Sequence, residues 1–299
     1  MAPPAASGIG ARLAHEARGG SRRSLSRLLT AVESRTPAAE EALRLLYPAA
    51  GSAHVVGITG PPGGGKSTLV AALMAVAREA GRPVAVLAID PSSPVTGGAI
   101  LGDRIRMQQY AGDRDVFIRS MASRGHLGGL AGTTAESAAV LGACGFDLVF
   151  IETVGTGQSE VEVASIADTT VVVQAPEMGD EIQAMKAGLL EVADVIVVNK
   201  ADRPGADRAA AQLRAMLTLG DEPTTPEAEA TRPRPKRPTV LLASGLTAEG
   251  VPELLAELDR GHASRGAGDA PLVARLARAR AQVEGILADR TLDALWSPS

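Results

Sequence analysis

The 299-residue chain has a single cysteine, only three Phe, two Tyr and one Trp, and no apolar run approaching ~20 residues. Each shortage excludes something. One cysteine, Cys144, permits no disulfide within the chain and suits a reducing cytoplasm. With aromatics at 2%, the core must be built from Val, Leu, Ile and Ala. The lack of a long apolar run leaves no segment able to span a membrane as a helix. An excess of basic charge is also missing. The formal net charge of −4 gives no broad positive field, so nucleic acid is a poor expectation for a main partner.

What is present is alternation. Short apolar runs at 54–60 (HVVGITG), 83–90, 115–121, 146–153, 169–176, 194–202 and 238–244 read as strands. Most are continuous Val/Ile/Leu runs, which indicates burial on both faces. Segments 66–81 and 133–145 between them read as helices, the first ended by Gly81. The pattern predicts an α/β fold with a mainly parallel central sheet covered by helices on both faces.

Outside the sheet, residues 1–21 are rich in Ala, Ser and Arg. A transit peptide has such a bias; the simpler expectation is a flexible tail leading into an amphipathic helix. Residues 22–50 carry apolar residues at helical spacing with a break at Pro37, and predict an N-terminal helical extension. The central domain is then expected over 51–262, interrupted by a surface loop at 220–238 with five prolines and many charges. Residues 263–299 read as a C-terminal helical arm, with Leu272, Leu276, Val283 and Leu287 near one face.

Residues 60–67, GPPGGGKS, fit G-x-x-x-x-G-K-[ST] between a predicted strand and a predicted helix, the context such a phosphate loop requires. In Gly60, Pro61, Pro62, Gly63, Gly64 and Gly65 the glycines let backbone N–H groups turn inward around phosphate oxygens. Lys66 is expected at the β- and γ-phosphates, Ser67 supplies a hydroxyl for Mg²⁺, and Thr68 follows on the helix N-terminus.

NKAD, residues 199–202, lies at a predicted strand end after that loop. The Asp202 carboxylate suits the ring N–H and exocyclic NH₂ of guanine, which adenine lacks there. Asn199 is expected at the N7/O6 edge and the Lys200 stem over the ring face. The following strand ends in Ser244-Gly245-Leu246, where GTPases place backbone N–H groups near O6. The commoner form is Ser-Ala, so Gly245 is a departure. GTP and GDP are therefore the expected ligands.

Three acids lie between these loops. Asp90 and Glu152 end predicted strands, and Asp103 sits in GDRIRM. Acids at the carboxyl ends of parallel strands point into the ligand crevice, where they can hold Mg²⁺ or orient water. Asp103 is also a candidate helix cap.

The motifs GITGPPGGGKSTL, AIDPSSPVTGGAILGDRIRM, SMASRGHLGGLAGTT, FIETVGTGQSE, GDEIQAMKAGLLEVADVIVVNKAD and SGLTAEGVPEL, in this order, resemble the MeaB/ArgK family of GTPases over residues ~22 to 262. That resemblance implies a P-loop GTPase that assists an adenosylcobalamin-dependent acyl-CoA mutase, gating delivery of the cofactor and its protection. It implies Glu152 as a magnesium-site residue beside Ser67, Asp90 and Asp103, with Lys66, Asp90 and Glu152 serving hydrolysis. It makes 153–160, including Gly155, a second switch, and 176–188, with Asp180 and Lys186, a segment that reports nucleotide state to the mutase. Gln158 is displaced from where a Ras-like enzyme places its water-orienting glutamine, so slow hydrolysis without a partner is expected. A homodimer is implied too, although the family's C-terminal dimerisation arm reads short here. Two other classes compete: a metallochaperone GTPase for nickel or cobalt, for which the four scattered histidines and Cys144 form no evident cluster, and a small-molecule kinase, against which the guanine motif argues.

Overall fold

The structure is a computed structural model that describes residues 8–91, 110, 112–123, 129–153, 163–176, 192–219 and 237–266. Asp103, His126, Gly155, Gln158, Asp180 and Lys186 lie outside the described residues. So do most of the Pro-rich loop and of the C-terminal arm, and the side chain of Asp90.

All seven apolar runs form strands: β1 (His54–Thr59), β2 (Val84–Pro91), β3 (Val116–Ser123), β4 (Leu148–Thr153), β5 (Thr169–Gln174), β6 (Val195–Val198) and β7 (Thr239–Leu242). They make one parallel sheet in the order β3-β2-β4-β1-β5-β6-β7. Every residue of β4, β5 and β6 is buried, as continuous rather than alternating apolar runs require.

Helix α4 (Lys66–Glu79) and helix α7 (Val251–Gly266) cover one face, where Val56, Ile58, Phe150, Val171 and Val173 meet Leu69, Leu73, Met74, Leu254 and Leu258. Helix α4 ends at a left-handed Gly81, where Arg82 N–H bonds back to Ala77 O at 3.0 Å. Helix α6 (Ala206–Leu219) packs on the other face of β6 and β7 through Ala210 and Leu213.

That second face also carries helix α5 (Gly129–Ala143), and beyond it a unit of three helices, α1 (Ile9–Arg18), α2 (Arg22–Glu33) and α3 (Pro37–Leu46). Helix α5 shows little amphipathicity because it has apolar neighbours on both sides: Val140 and Leu141 share one cluster with Val149 and Ile151 of the sheet and with Leu28, Leu29 and Leu46 of the outer helices. Pro37 breaks the chain as expected and opens α3, whose N-cap Thr36 accepts from Ala39 N. Arg119 of β3 pairs with Glu33 of α2 at 2.6 Å, and Arg22 donates to the carbonyls of Val116 (2.6 Å) and Asp113 at the sheet edge.

The expected tail at 1–21 is corrected over its second half. Residues 9–18 are a helix packed on α2 and α3. Its N-cap is Gly8 and it has no acid in its first turn, so the usual start signals are missing. Tertiary packing of Leu13, Ala14 and Ala17 holds it instead, together with the Glu41 carboxylate that accepts from Gly10 N at 3.1 Å.

Candidate functional site

The carboxyl ends of β1, β4, β6 and β7 bring the sequence motifs together. After β1 the chain turns at Gly60, with φ of 134°; a Cβ there would lie 2.2 Å from Val173 O on the neighbouring β5, so the strand leaves the sheet only with glycine. Gly65, with φ of 85°, is the N-cap of α4, and a Cβ on it would come within 2.4 Å of the Asn199 amide. The first-turn N–H groups of α4 thus face the loop with their partial positive charge.

Lys66 is buried, and its ammonium donates to Gly60 O at 2.7 Å and Pro61 O at 3.0 Å. The cation lies folded against its own loop. Ser67 Oγ donates to Glu152 Oε1 at 2.5 Å, which joins the start of α4 to the end of β4. These are two hard oxygen donors from different elements. Mg²⁺ takes such oxygens at a site completed by water and phosphate, so the residues present fit it. Asp90 ends β2, two strands from the phosphate loop.

At the base end, Asp202 is exposed and its Oδ1 accepts from Ser244 Oγ at 2.5 Å. That hydrogen bond holds the Asp202 carboxyl below its ordinary pKa, with the Arg203 and Lys200 charges adding. Lys200 has φ of 59°, a left-handed backbone that lets the chain double back beside Asp202. Leu246, two residues after Ser244, is 80% exposed.

Asn199 has a role in the loops themselves that its residue type does not announce. Its Nδ2 donates to Gly64 O at 2.9 Å and Gly65 O at 3.2 Å, and its Oδ1 accepts from Gly245 N at 3.0 Å. The amide braces the phosphate loop against the loop after β7. The departure at Gly245 also has a reason: a Cβ there would lie 2.8 Å from Leu69 N, so the loop sits closer to α4 than alanine allows. Ser244 N bonds to Glu249 O at 2.8 Å, which closes that loop on itself. Sequence spacing could not reveal these braces, because the three partners of the Asn199 amide are all backbone atoms.

A phosphate loop between β1 and α4, with a carboxylate-bearing loop two strands away in a parallel sheet, defines the P-loop GTPase fold. A family model described as methylmalonyl Co-A mutase-associated GTPase MeaB matches residues 25–297, and the chain belongs to that family. A relative from Pyrococcus abyssi carried under a GTPase name is 50% identical over 235 residues, 79% of this chain and 70% of its own length. A Mycobacterium tuberculosis protein named a probable GTPase is 42% identical over 297 residues, 95% of this chain and 84% of its own. The crystal structure of a LAO/AO transport system kinase aligns with a TM-score of 0.74 at 28% identity, covering 99% of this chain and 88% of that one.

Proposed function

We propose that this protein is a magnesium-dependent GTPase that hydrolyses GTP slowly alone and acts as a chaperone for an adenosylcobalamin-dependent acyl-CoA mutase of the methylmalonyl-CoA type, gating loading and protection of its cofactor. The observation that carries this reading is the family match across residues 25–297. It is supported by the grouping of Lys66, Ser67 and Glu152 at one end of the sheet with Asp202 and Ser244. The protein is taken to work in the cytoplasm as a homodimer.

In this reading GTP lies along the carboxyl ends of the strands. The N–H groups of Gly63–Thr68 cradle its phosphates, and Lys66 leaves the carbonyls of Gly60 and Pro61 to neutralise the γ-phosphate. Asp202 accepts the two guanine donors while Ser244 holds it in place, and the Lys200 stem covers the ring. ATP would leave that carboxylate without donors, which is the basis for rejecting it. Ser67 and Glu152, with Asp90 and Asp103, would hold Mg²⁺, which when bound offsets charge on the phosphate oxygens. Glu152 or Asp90 orients the attacking water. A partner that adds a positioned charge can raise such a reaction by ~10³–10⁵.

Among the described residues no group of three His, Cys, Asp or Glu side chains is arranged to hold a metal ion, and no observation favours the metallochaperone alternative. The test mixes purified protein with its host's own mutase and follows phosphate release and complex formation on a sizing column. Acceleration with a nucleotide-dependent complex is expected. Neither effect, in a protein that still hydrolyses GTP, removes the mutase and leaves the GTPase.

A further inference from the structure

Strands β1 and β4 stay in register up to Ile58 and Glu152. One residue further on both strands end, at Thr59 and Thr153, and β1 passes into the phosphate loop. Here Thr153 Oγ1 donates to Thr59 Oγ1 at 3.2 Å, with 1% and 0% of the two residues exposed. Side chains alternate along a strand. Glu152 therefore faces α4, where it meets Ser67, while Thr153 faces the opposite side of the sheet, toward the cluster that holds Ile151 and Val163.

Two hydroxyls in that position are an odd choice for stability alone. Valine has nearly the same shape, favours strands more, and needs no partner in an apolar layer. Replacing both members of a buried hydrogen bond by apolar groups of like shape is close to neutral. What the pair adds is direction. It ties the residue before Gly60 to the residue after Glu152, so the two strand ends that carry the phosphate loop and the acid hold one relative rotation.

We propose that Thr59 and Thr153 are a positioning pair for GTP hydrolysis: their hydrogen bond fixes the β4 terminus so that the Glu152 carboxylate stays on Ser67 while the phosphate loop changes contacts. The inference rests on the GTPase reading above, and it assigns to the opposite face of the sheet a part in the chemistry.

The experiment compares wild type, Thr59→Val, Thr153→Val, the double variant and Thr153→Ser. GDP affinity, melting temperature, kcat and KM for GTP, and the Mg²⁺ concentration at half-maximal rate are measured for each. Either valine variant should lower kcat about tenfold and raise the Mg²⁺ requirement with GDP affinity little changed; each leaves one buried hydroxyl without its partner and lowers the melting temperature, which the double variant should regain while staying slow. The double variant should be no slower than the singles, since one bond is lost in each case. Thr153→Ser, which keeps the hydroxyl, should restore the rate. Valine variants with wild-type kcat, or a double variant that regains kcat along with its melting temperature, overturn the proposal. A wild type that hydrolyses no GTP would instead sink the underlying activity.

Discussion

At the amino ends of the strands, Asp168 Oδ2 accepts from Val55 N at 2.9 Å and Asp194 Oδ2 from Thr170 N at 2.7 Å. Nearby, His54 shares a 2.8 Å hydrogen bond with Thr169 and stacks on His262 at 4.1 Å. At the carboxyl ends, Lys66 rests on its own loop, Ser67 on Glu152, and Asp202 on Ser244. Both ends are rich in polar groups, and each of these contacts pairs a donor with an acceptor. They differ in what the partners are. At the amino ends side-chain carboxylates take strand N–H groups, which pins one strand against the next and leaves nothing to exchange. At the carboxyl ends the donors and acceptors are of the kinds a nucleoside triphosphate would supply or accept. On the proposed function, one end is a fastening and the other a set of contacts that a nucleotide would exchange.

The sharpest way to break this comparison is at the phosphate loop. Lys66→Ala should lower GTP hydrolysis by about a thousandfold, because the γ-phosphate loses its main side-chain cation; single-turnover phosphate release checks it. Asp202→Asn should weaken GTP roughly a hundredfold and strengthen xanthosine triphosphate, whose carbonyl accepts from the amide, as calorimetry would read. Because the Ser244 hydrogen bond lowers the Asp202 pKa, its carboxylate stays charged as pH falls into the ordinary Asp range, and wild-type preference for GTP should persist down to about pH 4.

At the other end the same kind of change should do something different. Asp194→Ala leaves the Thr170 N–H buried without its carboxylate. It should cost about 1–3 kcal/mol in denaturant unfolding while GDP affinity stays within about twofold. A large loss of nucleotide affinity there would erase the distinction between the two ends.

The smallest effect is expected away from both. Burial raises the Glu136 pKa on α5; Arg35 opposes this and Glu40 adds to it. A carboxyl with its folded pKa raised contributes stability below the unfolded pKa and loses it as pH rises through the folded one. Glu136→Gln should therefore raise the melting temperature slightly at pH 7, and the gain should vanish when both proteins are compared below the usual carboxyl range.

The strands were legible because their apolar runs are continuous and bounded by turn residues, and the order of the loops follows from chain order alone. Helix α1 was not, since it has neither a side-chain cap nor an acidic first turn and depends on neighbours distant in sequence. The identity of Asn199 was readable but its bracing of the two loops was not. A side-chain amide that bonds to three backbone atoms leaves no pattern in residue types. Gly245 looked like a loose match for the same reason: only the approach of Leu69 explains it.

Helix α5 has its own thermodynamic consequence. It is apolar toward the sheet and toward the three N-terminal helices at once, and all of them contribute to a single buried cluster. Neither wall can be removed without opening the other to water. Residues 9–46 should therefore melt together with β2, β3 and β4 in one cooperative transition. A cut in the exposed turn after α3 should leave the first three helices held on α5 rather than release them as a separate fragment.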